Sequence, residues 1–495
     1  KFSQNGGGEK VFSNLETVLK ELGSIFVMLG VLMFSLLVVA YFSSELYLII
    51  TPLLFTAFIA IAVGLSLRFS FRHAKEPEFK HAMVCVALVW LVIPALSSLL
   101  FIMIENMNPL DSFFEAMSGW TGTGLTMIAH PSSLTHTMQF WRSLMQWVGG
   151  VGVIVLMLSI LAHPGTGTFA LYKAEAREER IRPSIISTVR MTWWIYLILT
   201  SFGILLFFFA GMKPWEAINH AMTAIGTGGF TITDKSLAAY NNFFIELAVI
   251  PVMILGALPF LVHYKVLKGD FKAFFKDLQC RAFVVILFIL LVSLFALNYS
   301  LYGNVFSCLR YSSFQLISGL TCTGFQTTSV HEWSGTGLLI VCMAMIIGGG
   351  AGSTAGGVKL IRAVIAYKWI RWSLRKDFLP PRALMPLKFG DRILEKEEIV
   401  KIVADTSLII VLWLLFLFVG ICILSLVVGS QFQLGDVIFE VASAQGNVGL
   451  STGITNAGLS SIGKVMLILN MWIGRLEIIP VLMLLRVLVK GFEPI

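Results

Sequence analysis

The sequence predicts an all-α polytopic membrane protein of ten spans. It reads as four pseudo-repeats, each a helix, a short re-entrant helix, a glycine-rich loop and a second helix, with two extra transmembrane helices in front. Three observations predict this. They are a lipid-like composition, apolar runs of spanning length, and four glycine loops that share one register.

Of the 495 residues, 57% are hydrophobic and 13% charged, and the mean hydropathy is +0.85. A soluble domain is about one quarter charged. The net charge of +8 does not mark a nucleic-acid binder, because Lys and Arg cluster between apolar runs, as they do in loops on the cytoplasmic side of a membrane. The cysteines Cys85, Cys280, Cys308, Cys322, Cys342 and Cys422 form no CxxC pair and read as reduced packing residues. The stretch from Asn5 to Lys10 is too polar for a signal-peptide core.

A helix needs about 20 apolar residues to cross the hydrocarbon. Candidate runs begin near Leu22 and Leu46 and continue at His81–Ile104, Trp141–Leu161, Met191–Gly211 and Phe243–Val262. Four more lie at Ala282–Asn298, Leu338–Ile365, Ile402–Val428 and Val465–Val489. Of these, only the Leu338 run is visibly interrupted, by "IIGGGAGSTAGG". The segments Arg68–Lys80, Lys173–Arg190, Lys265–Arg281 and Lys359–Lys401 hold 25 of the 36 Lys and Arg, while Lys80 to Arg142 has none between. The basic loops are therefore expected inside, with both termini cytoplasmic. The expected divisions are an N-terminal two-helix extension (1–76), repeats at 77–165, 185–270 and 278–375, a cytoplasmic linker (376–398) and a last repeat at 399–495.

The outer loops carry the repeat. "PLDSFFEAMSGWTGTGLT", "PWEAINHAMTAIGTGGFT", "RYSSFQLISGLTCTGFQTT" and "GDVIFEVASAQGNVGLST" align without gaps on Gly124, Gly228, Gly324 and Gly449. Nine residues earlier stand Glu115, Asn219, Gln315 and Glu440, and six earlier Ser118, Met222, Ser318 and Ser443. One earlier stand Thr123, Thr227, Thr323 and Val448. The ten or so residues before each loop are too few to span, so they read as a re-entrant helix. Irregular backbone at membrane depth survives only when buried in protein or lining a cavity. Four such units are expected around one pore. Consecutive backbone carbonyls aimed at a common axis can replace the water of a cation, and glycine supplies the positive φ that such backbone needs.

With these loops, the interrupted span "IIGGGAGSTAGGVK" and the stretch "WRSLMQWVGGVGVIV", nearly the whole chain resembles the Trk/Ktr/HKT superfamily of potassium transporters. The two extra N-terminal spans make it most similar to the bacterial TrkH/TrkG branch. The resemblance implies potassium uptake across the bacterial inner membrane, potassium as the substrate and no organic cofactor on this chain. It also implies a homodimer with one pore per protomer and a cytosolic TrkA-like nucleotide-binding subunit. Potassium would meet the backbone of Thr123, Gly124, Thr227, Gly228, Thr323, Gly324, Val448 and Gly449, with Gly122, Gly226, Cys322 and Asn447 at the filter ends. Gly124, where sodium-passing relatives can carry serine, favours potassium. Val448 and Asn447 depart from the Thr-containing pattern of the other loops and put strict four-fold symmetry in doubt.

Two gate elements are expected beneath the filter. One is the loop holding Gly348, Gly349, Gly350, Gly352 and Ser353; the other is Arg475, a charge at bilayer depth. The alternatives for Arg475 are neutralising Glu477 or capping carbonyls. "GAGSTA" also matches a dinucleotide fingerprint formally, but it follows a membrane run and not a strand. Glu105, Asp111, Glu115, Glu216, Asp436 and Glu440 could attract cations on the outer side, and Arg142 and Lys464 would snorkel to the interface. Rival functions are a sodium- or proton-coupled potassium symporter and, in other classes, an intramembrane enzyme or a non-transporting scaffold. The spans offer no nucleophile–base pair for the enzyme, and the scaffold leaves the glycine loops without a reason.

Overall fold

The computed structural model describes residues 5–152, 185–378, 380, 388–389, 392–393 and 396–492. The end of the first expected repeat, most of the basic segment from Lys173 to Arg190, and much of the linker lie outside the described residues. The described chain is helical apart from one antiparallel pair, β1 (Lys388–Phe389) and β2 (Arg392–Ile393).

Helices α1 (Asn5–Met33), α2 (Ser35–Phe42) and α3 (Leu46–Ser70) form the N-terminal part. Four units of one plan follow. The first is α4 (Phe79–Glu105), the short α5 (Pro109–Thr121) and α6 (His136–Val151). The second is α7 (Ile185–Phe209), the short α8 (Pro214–Ile225) and α9 (Phe243–Ala257), continued by α10 (Phe260–Leu267) and a turn of helix, α11 (Lys272–Lys276). The third is α12 (Leu278–Tyr302), the short α13 (Val305–Leu320) and α14 (Gly335–Ile347), then α15 (Leu360–Asp377). The fourth is α16 (Lys396–Val428), the short α17 (Leu434–Gln445) and α18 (Ser461–Arg475), then α19 (Ile479–Lys490).

Local chemistry starts these helices where they start. Asn108 accepts from Leu110 N at the head of α5, and Asn304 from Phe306 N at the head of α13. Each second helix is capped by a short polar side chain, Thr135, Asn242, Ser334 or Ser460, which supplies an acceptor for otherwise unmet N–H groups.

Six helices among the described residues are long and apolar enough to cross a membrane, and a seventh span arises if α9 and α10, bent by 105°, count as one. The sequence reading expected ten uninterrupted or nearly uninterrupted runs. The difference lies in the second helices. Only the Gly348 break was expected, yet α9 stops at Leu258–Pro259 and α18 stops at Leu476–Ile478, where Glu477 and Ile478 have positive φ. Pro259 and Pro480 mark both places in the sequence. They are weak signals, because Pro52, Pro94 and Pro251 sit inside unbroken helices. What decides the breaks is packing. Gly149, Gly256 and Gly474 bring three second helices so close to the carbonyls of Trp120, Ile225 and Gln445, at the ends of short helices, that a Cβ would fall inside 3.0 Å.

Candidate functional site

All four short helices end in the same hydrogen-bonded turn. Thr123 N donates to Ser118 O at 2.9 Å, Gly228 N to Thr223 O at 2.8 Å, Thr323 N to Ser318 O at 2.9 Å and Val448 N to Ser443 O at 2.9 Å. The residue before each donor is left-handed: Gly122 (φ 69°), Thr227 (48°), Cys322 (56°) and Asn447 (51°). The residue after each is left-handed too: Gly124 (86°), Gly229 (77°), Gly324 (84°) and Gly449 (100°).

This corrects the alignment in the second loop by one residue. Gly229, not Gly228, is the counterpart of Gly124, Gly324 and Gly449, and Gly228 corresponds to Thr123. Thr227 takes the place expected for Gly226, which is an ordinary right-handed residue at φ −72°. The shift also completes a hydroxyl column, Ser118, Thr223, Ser318 and Ser443, in place of Met222. It puts His220, not Asn219, level with Glu115, Gln315 and Glu440. The complete hydroxyl column was the available signal; a gapless alignment on the wrong member of "TGGF" concealed it.

The four glycines touch in a cycle. A Cβ on Gly124 would collide with Gly228 O, one on Gly229 with Thr323 O, one on Gly324 with Val448 O, and one on Gly449 with Thr123 O, each inside 3.0 Å. The loops therefore close a ring in chain order, with every glycine against the carbonyl of the next loop. Positive φ and the neighbouring backbone both exclude a side chain here. Above the ring lies a cavity of about 440 Å³ whose lining includes Gly124, Gly229, Gly324 and Gly449.

Side chains behind the ring fix the loops. Glu115 is fully buried; it accepts from Thr126 Oγ1 and from Met127 N at 2.9 Å. Arg142 Nε donates to Glu115 at 2.8 Å, its Nη1 to Thr231 O at 2.8 Å, and its guanidinium lies 4.0 Å from the Phe230 ring centroid. Gln146 clamps the second loop, donating to Gly228 O at 2.6 Å and accepting from Phe230 N at 2.9 Å. Glu440 repeats the role of Glu115, accepting from Ser451 Oγ, Thr452 N and Thr455 N. Asn447 Nδ2 donates to Thr123 Oγ1 and Met471 O, both at 3.0 Å, tying the fourth loop to the first.

Neither Arg142 nor Lys464 snorkels. Arg142 is 1% exposed and paired with Glu115; Lys464 is 5% exposed and paired with Asp111. Each found a carboxylate that only the tertiary fold delivers. None of the six carboxylates expected to attract cations lines the cavity. Asp436 pairs with His331, and Glu216 accepts from Lys213 N. The acid that does line the cavity is Asp234. The backbone amide and hydroxyl of Ser132, with His130, hold its carboxyl below the usual range.

Removing the Glu115 carboxylate would leave Arg142 buried without its counter-charge. Glu115→Ala is expected to cost about 3–5 kcal/mol, read as a lowered unfolding midpoint in detergent, and Glu115→Gln clearly less.

The glycine segment between α14 and α15 lies against the inner end of the ring. Thr354 Oγ1 contacts Ile225 O and Gly256 O at 2.9 Å and Thr227 Oγ1 at 3.1 Å. Gly350 N donates to Ala257 O at 2.8 Å, and Gly357 N to Gly446 O at 3.1 Å. Phe260 N donates to Gly352 O at 2.9 Å. Ser353 Oγ closes the segment on Gly350 O at 2.6 Å. Gly348 and Gly349 pack on the returning chain, against Gly356 and Ala355. Arg475 donates to Gly150 O at 3.1 Å, to Gly149 O and to Thr354 O at 3.4 Å, and its guanidinium lies 5.0 Å from the Trp90 ring centroid. Glu477, offered above as the partner of Arg475, pairs with Arg362. The two elements named separately from the sequence thus meet at Thr354. The dinucleotide reading of "GAGSTA" fails here, because the segment leaves a helix and not a strand. No group of three or more His, Cys, Asp or Glu among the described residues could hold a metal ion.

A ring of glycine loops at the floor of a cavity, inside a bundle of apolar helices, defines a membrane transport protein of the four-loop class. The sequence matches the family described as TrkH, cation transport protein, over residues 53–491, and the chain belongs to that family. It is 33% identical over 483 residues to an uncharacterised cation transporter of Methanocaldococcus jannaschii, covering 96% of each chain. It is 32% identical over 443 residues to the Trk system potassium uptake protein TrkH of Salmonella typhimurium, covering 87% of this chain and 90% of that one. The crystal structure of the potassium transporter TrkH from Vibrio parahaemolyticus superposes with a TM-score of 0.82 at 28% identity, over 95% of this chain and 98% of that chain. These relatives are transporters and not enzymes.

Proposed function

We propose that the chain conducts potassium into the cell through the ring of four loops. The observation that carries this is the cycle of Gly124, Gly229, Gly324 and Gly449, one per loop, each left-handed and each against the next loop's backbone. Such backbone presents carbonyl oxygens to a dehydrated cation without a protein charge at the site. The printed names of the relatives from Salmonella and Vibrio, both potassium transporters, favour potassium as that cation. The ligand set is the backbone of Thr123 and Gly124, Gly228 and Gly229, Thr323 and Gly324, and Val448 and Gly449, with Gly122, Thr227, Cys322 and Asn447 at the inner end.

The cavity faces outward and the basic loops inward, with both termini cytoplasmic, as the distribution of Lys and Arg supports. The membrane potential drives uptake with about 2.3 kcal/mol per charge per 100 mV. The segment Gly348–Lys359 and Arg475 obstruct the path beneath the ring, and leaving those contacts opens it. The family resemblance adds a homodimer with one pore per protomer and a cytosolic nucleotide-binding subunit docked on the basic face.

The test is potassium against sodium flux in proteoliposomes containing the intact protein and Gly124→Ser. The intact protein is expected to favour potassium and the variant to lose most of that preference. Equal selectivity in both would remove the ring from the mechanism.

A further inference from the structure

The ring glycines meet through backbone alone, so something further out must fix how far apart the loops stand. The vestibule side of the molecule holds a repeated device at the seams between units. At each seam, the start of one unit's second helix, or the turn just before it, is tied to the beginning of the next unit's short helix.

Between the first and second units, Trp215 Nε1 in the first turn of α8 donates to Gln139 Oε1 in the first turn of α6 at 2.8 Å. Between the second and third, Arg310 of α13 forks onto Glu246 in the first turn of α9, with two bonds of 2.7 Å. Between the third and fourth, His331, just before α14, meets Asp436 in the first turn of α17 at 3.1 Å. Between the fourth and first, Lys464 in the first turn of α18 meets Asp111 in the first turn of α5 at 2.5 Å. The order 1–2–3–4–1 closes. Three of the four clasps are acid–base pairs, and the side chains of Glu246 and Asp436 are each only 4% exposed.

We infer that these clasps form a belt that sets the bore of the loop ring, which makes Glu246, Arg310, Asp111, Lys464, Asp436, Gln139 and Trp215 positioning residues for cation selection. The physical chain is short. Each short helix is a rigid rod with its N-terminal turn held by the preceding unit and its C-terminal turn carrying the ring glycine. Shifting the held end by part of an ångström moves the glycine and its neighbour's carbonyl together. A bidentate Arg–carboxylate pair fixes both distance and angle, which a single point charge does not. The belt rests on the reading of the ring as a selective pathway, and it adds residues that touch no ion.

The test uses the full chain in proteoliposomes, with potassium and sodium flux measured separately at matched amounts of monodisperse protein. Glu246→Gln and, at a different seam, Lys464→Met are each expected to lower the potassium-to-sodium ratio about tenfold, or ~1.4 kcal/mol in selectivity. The double swap Glu246→Arg with Arg310→Glu should recover part of that loss. If Glu246→Gln does not yield folded protein, Arg310→Lys, which keeps the charge and loses the fork, makes the same comparison. Variants that fold and keep the wild-type ratio, or that lose both fluxes in equal proportion, overturn the belt while leaving the selective ring standing. A wild-type protein that does not favour potassium overturns both readings at once.

Discussion

Gly229→Ala is expected to abolish selective potassium uptake, while Gly228→Ala keeps a measurable part of it. A gapless reading of the repeats ranks these two adjacent glycines the other way. At Gly229 the backbone is left-handed at φ 77°, and a Cβ would overlap Thr323 O and crowd the Gly324 backbone. Left-handed backbone costs an L-residue with a Cβ roughly 1–2 kcal/mol, and the overlap is with main chain that cannot rotate away. At Gly228 φ is not positive, and the new Cβ would meet the Gln146 side chain. That side chain can turn, at the expense of its bonds to Gly228 O and Phe230 N. The measurement is potassium and sodium flux for both variants at equal protein. A Gly229→Ala protein with wild-type selectivity would falsify the register derived from the loop geometry.

Loosening the segment beneath the ring is expected to raise flux, not lower it. Thr354 is the strongest single anchor, since its hydroxyl bridges Ile225 O, Gly256 O and Thr227 Oγ1 across the inner end of the second loop. Thr354→Val keeps the shape and removes the hydroxyl. A net hydrogen bond contributes about 0.5–1.5 kcal/mol, and acceptors left unmet cost more. A bias of ~1.4 kcal/mol changes the open fraction about tenfold, so potassium flux should rise by roughly that factor. Deleting Gly348–Ser353 should raise it further. Well-folded variants whose flux is unchanged or lost would exclude this segment as the obstruction and leave it a structural cross-brace.

Several features were legible before any coordinates. Too few charges and too many long apolar runs leave no soluble alternative, and that is a statement about solvation, which composition measures directly. The loops announced themselves because glycine at a fixed offset from a short amphipathic stretch has few other uses in a membrane. Gly124, Gly324 and Gly449 needed nothing more, since a single glycine was available at each shared position. The "TGGF" of the second loop offered two, and local sequence contains no term that chooses between them. Thr323 O chooses, by lying where a Cβ on Gly229 would be.

The same division holds elsewhere. Arg142 looked like an interfacial residue because its only sequence neighbours are apolar or small; it is buried because Glu115 arrives from another helix. Arg475 and the Gly348 segment were named as separate oddities, and packing made them one contact at Thr354. The second helices look continuous in the sequence because their apolar runs are continuous. Their breaks come from the carbonyl ends of short helices pressing on them, a constraint with no local signature. The sequence by itself therefore determined the solvent of each segment and the conformational freedom placed in each loop. Tertiary structure alone decided which residue uses that freedom and which charge meets which, because both depend on backbone and side chains more than 80 residues away in the chain, as Arg142 and Thr231 are.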